Sequence, residues 1–65
     1  MTKLKEKREQ RGLSRSQLAT KTGISLRTIE ALEQGLRPIE KAQVLTVIKL
    51  ADALDCSVYD LINIE

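Results

Sequence analysis

The side chains best suited to chemistry in this sequence are hydrogen-bond donors and cations that lie close together in residues 14–34. Arg15, Gln17 and Arg27 belong to this segment, and guanidinium and amide groups bind phosphates and base edges through directed hydrogen bonds. The sequence contains no histidine and one cysteine, Cys56. The usual zinc ligand sets and the Ser-His or Cys-His nucleophilic pairs are therefore excluded. The pattern predicts a binding protein rather than an enzyme, with no catalytic residue, metal or cofactor.

The same segment contains two helix starts of one design, separated by a glycine. Ser14 is a predicted N-cap with Gln17 three residues later, which is the spacing of a capping box. Ser25 is the second predicted N-cap, and Gly23 lies where a left-handed residue would end the first helix. The spacing predicts two short helices joined by a tight turn. A residue as small as Ala19 suits the close approach of their backbones.

Five helices are predicted in all. The first runs from about residue 2 to about residue 10, and the second and third follow the two serine caps. A fourth covers roughly Ala42–Leu54, where apolar residues recur at helical spacing. A short fifth covers about Val58–Ile62 after the predicted cap Ser57. The conformation of the connection Leu36–Lys41 stays open, and one possibility is an extra turn that places Ile39 in the core.

Charge is distributed unevenly along the chain. The net charge is +2, but residues 1–37 hold nine Lys or Arg against four Glu, whereas residues 38–65 hold two Lys against five Asp or Glu. The first part is thus +5 and the second −3, which favours an anionic ligand at the first part. No apolar stretch approaches the ~18 residues of a membrane span, and no signal-peptide pattern is present. We expect one cytoplasmic domain over residues 1–65.

The ordered set of motifs resembles the phage-repressor or Cro-like helix-turn-helix family, the xenobiotic-response-element type of bacterial transcriptional regulator. The matching motifs are Arg11-Gly12-Leu13-Ser14, Gln17-Leu18-Ala19, Gly23-Ile24-Ser25 and Ile29-x-x-Leu32-Glu33-x-Gly35. The resemblance implies an all-α, compact five-helix, lambda-repressor-like DNA-binding domain, with the motif at helices two and three, about residues 14–34. It further implies a sequence-specific regulator of transcription, bacterial or phage-encoded and nucleoid-associated, which we expect to act as a repressor.

The resemblance places the third helix, about Leu26–Glu33, in the major groove of double-stranded DNA. Arg27 is the strongest candidate for reading a base, because a guanidinium can bond both O6 and N7 of guanine. A phosphate contact and a solvated side chain are the alternatives for this arginine. The residues expected to contact bases are Arg27, Leu26, Ser25 and Ala31.

A second group of residues is expected to contact DNA phosphates. The resemblance assigns this role to Gln17, whose alternative role is the capping box alone. Arg37 is expected near a phosphate, and weaker candidates are Arg15, Gln34 and Arg11. The resemblance also pairs Arg8 with Glu33 in a partly buried salt bridge between the first and third helices. Both of these residues are then structural.

A homodimer on a pseudo-palindromic operator is the expected assembly, since one recognition helix reads only a few base pairs. The C-terminal region also holds more apolar residues than five small helices need, namely Val44, Ile48, Tyr59, Ile62 and Ile64. The alternatives are that these residues complete a lean core or cover a missing effector domain.

A protein-interaction module, such as an antitoxin or anti-repressor, is the rival function. Single-stranded nucleic acid and RNA are disfavoured as ligands, because the chain has one tyrosine and no Phe or Trp for stacking.

Overall fold

The computed structural model describes residues 2–62, which form four α-helices and two 3-10 turns. The helices are α1 (Lys3–Gln10), α2 (Arg15–Thr22), α3 (Leu26–Glu33) and α4 (Val44–Ala53), and the turns are Ile39–Lys41 and Val58–Asp60. The predicted all-α class is confirmed. The predicted short fifth helix is present as a single 3-10 turn, Val58–Asp60, in which the N–H of Leu61 donates to the carbonyl of Val58 at 3.0 Å.

Both predicted starts within residues 14–34 are confirmed. The hydroxyl of Ser14 accepts the N–H of Gln17 at 3.0 Å, and the N–H of Ser14 donates to Oε1 of Gln17 at 2.8 Å, so the capping box is complete. Ser25 caps α3 through its hydroxyl alone, which accepts the N–H of Thr28 at 3.2 Å. Gly23 has φ 75°, and this left-handed backbone lets α2 end and the chain turn directly into α3.

The fourth helix begins two residues later than predicted. The N–H of Ala42 closes the first 3-10 turn by donating to the carbonyl of Ile39 at 3.1 Å, and Ala42 itself is extended with ψ 160°. The chain must therefore straighten before Gln43, which is the N-cap of α4. Ile39 is buried, so the extra turn after α3 places an apolar side chain in the core.

The core lies where α2 packs against both α3 and α4, with α1 packed against α3 and the second 3-10 turn against α4. Its buried apolar side chains are Leu4, Leu18, Ile29, Leu32, Ile39, Val47, Leu50, Ala51, Leu54 and Leu61. Ala19 and Ile24 pack against it at the junction of α2 and α3. Cys56 is half-buried against the same core, and this burial raises the pKa of its thiol. Within residues 2–62, no helix has the length and apolar character needed to cross a membrane.

Candidate nucleic-acid interface

The start of α3 presents three of the four residues expected to contact bases. Ser25, Leu26 and Arg27 are exposed, and Ala31 is half-buried one turn further on. The Ser25 hydroxyl is already engaged, because it caps Thr28 and also shares a hydrogen bond of 2.8 Å with the Thr28 hydroxyl. At the start of α3, the methyl groups of Leu26 and the guanidinium of Arg27 are therefore the groups that remain available to a ligand.

The five arginines fall into two groups, and Arg27 belongs to the smaller one. Arg27 and Arg37 are exposed and form no hydrogen bond or ion pair with any other residue of the described range 2–62. Arg8, Arg11 and Arg15 are all bonded within the fold. An exposed cation without an internal partner is available to an external anion or base edge.

Arg8 and Glu33 form the buried ion pair that fixes α1 against α3. Nε of Arg8 lies 2.6 Å from Oε2 of Glu33, and Nη2 lies 3.2 Å from Oε1. The remaining Nη1 donates to the carbonyl of Leu13 at 2.7 Å. The hydrogen bond to Glu33 raises the pKa of Arg8 above its ordinary value. The two side chains satisfy each other in the interior, which removes Arg8 from any surface role.

Arg15 also bonds to Glu33, although its position at the start of α2 led us to predict a phosphate contact. Its Nε donates to Oε1 of Glu33 at 3.0 Å, and its Nη1 lies 3.9 Å from Oε2 of Glu30. The side chain remains 33% exposed. The phosphate contact of Arg15 stays a prediction, and it would have to be made by the part of the guanidinium that faces solvent.

Arg11 is engaged at the opposite end of the fold. Its Nε donates to the carbonyl of Leu54 at 2.8 Å, and its Nη2 donates to the carbonyl of Asp55 at 3.0 Å. These carbonyls follow the end of α4, where Asp55 has the left-handed φ of 52°. Cations are favourable at a helix C-terminus. The predicted phosphate contact of Arg11 therefore competes with a structural role that links the end of α1 to the end of α4.

Gln17 and Gln34 keep hydrogen-bonding capacity at the surface. Oε1 of Gln17 accepts the N–H of Ser14, while its amide NH2 has no hydrogen-bond partner within residues 2–62 and the side chain is exposed. The capping role and the predicted phosphate contact are thus compatible, because they use different atoms of one amide. Gln34 is exposed directly after the end of α3. No three His, Cys, Asp or Glu side chains within residues 2–62 are grouped to hold a metal ion.

A partly open cleft of about 450 Å³ lies beside α3, and its lining combines the predicted phosphate contact Arg37 with residues for which the sequence predicts no role. Thr28 and Leu32 of α3 form one wall, and Arg37 lies at the rim together with Lys41. The rest of the lining is Pro38, Ala42, Gln43 and Thr46. The cleft exists because the 3-10 turn at 39–41 brings Lys41 back towards α3. In the sequence, Lys41 is visible only as a positive charge three residues after Pro38. Its position beside α3 depends on the 3-10 turn, which the sequence left open.

The geometry agrees with the comparisons to known proteins. A family model described as helix-turn-helix matches residues 4–61 of the chain. The chain belongs to the Cro-like helix-turn-helix family. Its fold is similar to the crystal structure of the restriction-modification controller protein C.AhdI from Aeromonas hydrophila, with a TM-score of 0.79 and 31% identity over 89% of this chain and 83% of that chain. The comparison with curated proteins finds no match.

Membership of the helix-turn-helix family identifies the chain as a DNA-binding regulator of transcription. In this family the second helix of the motif is the recognition helix, and α3 holds that place here, paired with α2. The exposed residues Leu26 and Arg27 therefore belong to the element that this family inserts into the major groove. Arg37 and Lys41 belong to the connection that follows it.

Proposed function

We propose that the protein is a sequence-specific repressor that binds a pseudo-palindromic operator as a homodimer. The observation that carries the proposal is the state of Arg27. The guanidinium of Arg27 is exposed at the start of α3, and it bonds to no residue in the range 2–62. The other end of the same helix is held by the buried ion pair of Arg8 and Glu33. A guanidinium held ready in this way suits bidentate hydrogen bonding to guanine in the major groove.

The phosphate contacts are proposed at two places around the recognition helix. The free amide of Gln17 and the solvent-facing side of Arg15 supply the first, at the start of α2. Gln34, Arg37 and the cleft residue Lys41 supply the second, beyond the end of α3. Contacts to phosphates fix the orientation of the protein on the duplex, while the base contacts determine the sequence.

Exposed apolar side chains on α4 and the second 3-10 turn support the homodimer. Val44 is 71% exposed, Ile48 39% and Tyr59 77%. A shallow groove of about 240 Å³ lies between these two elements, with Val58 and Ile62 in its lining. Ile64, the remaining residue predicted to contribute, lies outside the described residues. A second copy that covers this surface would bring two recognition helices to one operator.

Selection of bound sequences from random duplex DNA tests the function. We expect a pseudo-palindromic site with half-sites about 10 base pairs apart and an affinity that falls steeply with salt. A reporter gene placed behind that site should lose expression when the protein is present, and increased expression would contradict the repressor role. Equal affinity for random duplex and for the best selected site would overturn sequence-specific binding. A protein captured in the absence of DNA would favour the interaction-module alternative.

Mass measurement by light scattering tests the homodimer independently of DNA. Val44→Glu places a charge in the exposed apolar surface and should shift the protein towards the monomer, because burying an unpaired charge is costly. Leu36→Glu is the matched control, since Leu36 is a similarly exposed aliphatic residue that lies outside the groove. A monomeric wild-type protein at the concentrations that saturate the operator would contradict a preformed dimer.

A further inference from the structure

Two carboxylates of the recognition helix share the guanidinium of Arg15. The contact with Glu33 is short, at 3.0 Å, and the carboxylate side chain is fully buried. The contact with Glu30 is longer, at 3.9 Å, and this carboxylate is 43% exposed. Arg15 is thus anchored on the interior side by one carboxylate and approached on the solvent side by another.

The charges of these groups balance only when Glu30 is included. Arg8 and Arg15 contribute two positive charges, and Glu33, which bonds to both arginines, contributes one negative charge. The surplus positive charge lies on the exposed part of Arg15, where Glu30 faces it. Without the carboxylate of Glu30, the group would present a net positive charge at the start of α2.

We propose that the carboxylate of Glu30 competes with a DNA phosphate for the guanidinium of Arg15. A phosphate bound to Arg15 would lie beside the Glu30 carboxylate, and two like charges that close repel each other. The competition weakens binding to every duplex alike, because a phosphate is present whatever the base sequence. This inference rests on the proposed function, and it adds that a carboxylate of the protein itself lowers the affinity for DNA.

The test compares Glu30→Gln with Asp52→Asn, which makes the same change in net charge at an exposed residue of α4. Dissociation constants are measured by fluorescence anisotropy for the selected duplex and for a scrambled duplex, at low and at high salt. We expect Glu30→Gln to tighten both complexes about two- to five-fold more than Asp52→Asn at low salt, the range typical of an exposed ion pair. The gain should shrink at high salt because the competing attraction is screened.

The same comparison in an Arg15→Gln background isolates the competition. The gain from Glu30→Gln should disappear there, since no guanidinium remains to be shared, while thermal unfolding verifies that each variant is folded. A gain equal to that of Asp52→Asn, or one that persists without Arg15, would overturn the proposal. Weaker binding to the selected duplex alone would also overturn it and would assign a base contact to Glu30. If the wild type itself fails to prefer the selected duplex, the proposed function fails first.

Discussion

The two ends of the recognition helix α3 differ in what holds them. At the C-terminal end, Glu33 is buried between two arginines, and its carbonyl accepts the hydroxyl of Thr2 at 3.2 Å. At the N-terminal end, Leu26 and Arg27 are exposed, and the serine cap is the local support. The C-terminal end of α3 is fixed to the rest of the fold by these side-chain bonds, whereas the N-terminal end keeps exposed side chains that can contact DNA. The structure therefore separates the residues that orient the helix from those that we propose to contact DNA.

The arginines follow the same division. Arg8, Arg11 and Arg15 make their bonds to carboxylates and carbonyls of the protein, whereas Arg27 and Arg37 have no such partner within residues 2–62. A count of positive charges in the sequence does not distinguish these groups. The difference predicts that mutations in the first group act mainly on stability, with Arg15 also affecting DNA binding through its exposed side, and that mutations in the second group act on DNA binding alone.

The strongest test of this division is Glu33→Ala. The change leaves Arg8 buried without its carboxylate, and breaking a buried ion pair by removing one partner typically costs about 3–5 kcal/mol. We expect a loss of that size in the free energy of unfolding, measured by denaturant titration. The double variant Arg8→Met/Glu33→Leu should recover much of the loss, because it removes both buried charges, and Arg15, which also loses Glu33, is 33% exposed and can be solvated. A single variant with wild-type stability would show that the C-terminal end of α3 is not fixed by this pair.

A second test acts on the junction that sets the angle of α3. Ala19 packs against the core beside the tight turn, and its carbonyl accepts the N–H of Gly23 at 2.8 Å. Ala19→Leu should lower the free energy of unfolding by about 3 kcal/mol, at the upper end of what overpacking costs. Thr20→Leu is the control, since Thr20 is exposed on the same helix and should change stability by less than about 0.5 kcal/mol. Equal melting temperatures for the two variants would contradict the close crossing of α2 and α3.

Local signals explain which parts of the fold could be predicted from the sequence. Ser14 and Ser25 specify helix starts through bonds that span three residues, so the pattern is legible without tertiary structure. The start of α4 was mispredicted because its N-cap, Gln43, makes no side-chain cap bond, and the preceding 3-10 turn ends in an extended Ala42. Where no side chain marks the boundary, helical spacing alone places it too early.

The candidate site was predictable to the extent that it lies on one helix. Helical spacing identified the exposed start of α3, with Arg27 opposite the buried Ile29. The partners of Arg11 and Arg15 lie in other elements, 43 and 18 residues away along the chain. Lys41 entered the cleft through the turn that follows α3. These contacts depend on how the elements meet, which spacing along the sequence does not specify.

At the exposed N-terminal end of α3, Arg27→Ala should weaken binding to the selected operator by about 1–3 kcal/mol, the value of one good bidentate base contact. Preference should relax at one base pair per half-site and remain elsewhere. Lys49→Ala is the control, because it removes an exposed cation of α4 that lies beside the end of α2 and not on α3. Selection of bound sequences with each variant is the measurement. An unchanged sequence preference would rule out base reading by Arg27, and stability should be the same as wild type in either case.

The smallest expected effects belong to the cleft beyond α3. Arg37→Ala and Lys41→Ala should each weaken binding to selected and scrambled duplexes by the same factor, because a phosphate contact carries no base sequence. Each should also reduce the slope of log affinity against log salt by about one, the value for one phosphate contact. Gln43→Ala is the control within the same cleft, since it removes a lining side chain without changing charge. A salt slope that stays at the wild-type value in both charge variants would show that no phosphate enters the cleft. The DNA-contacting surface of the protein would then end at α3, and Arg37 and Lys41 would be solvated side chains.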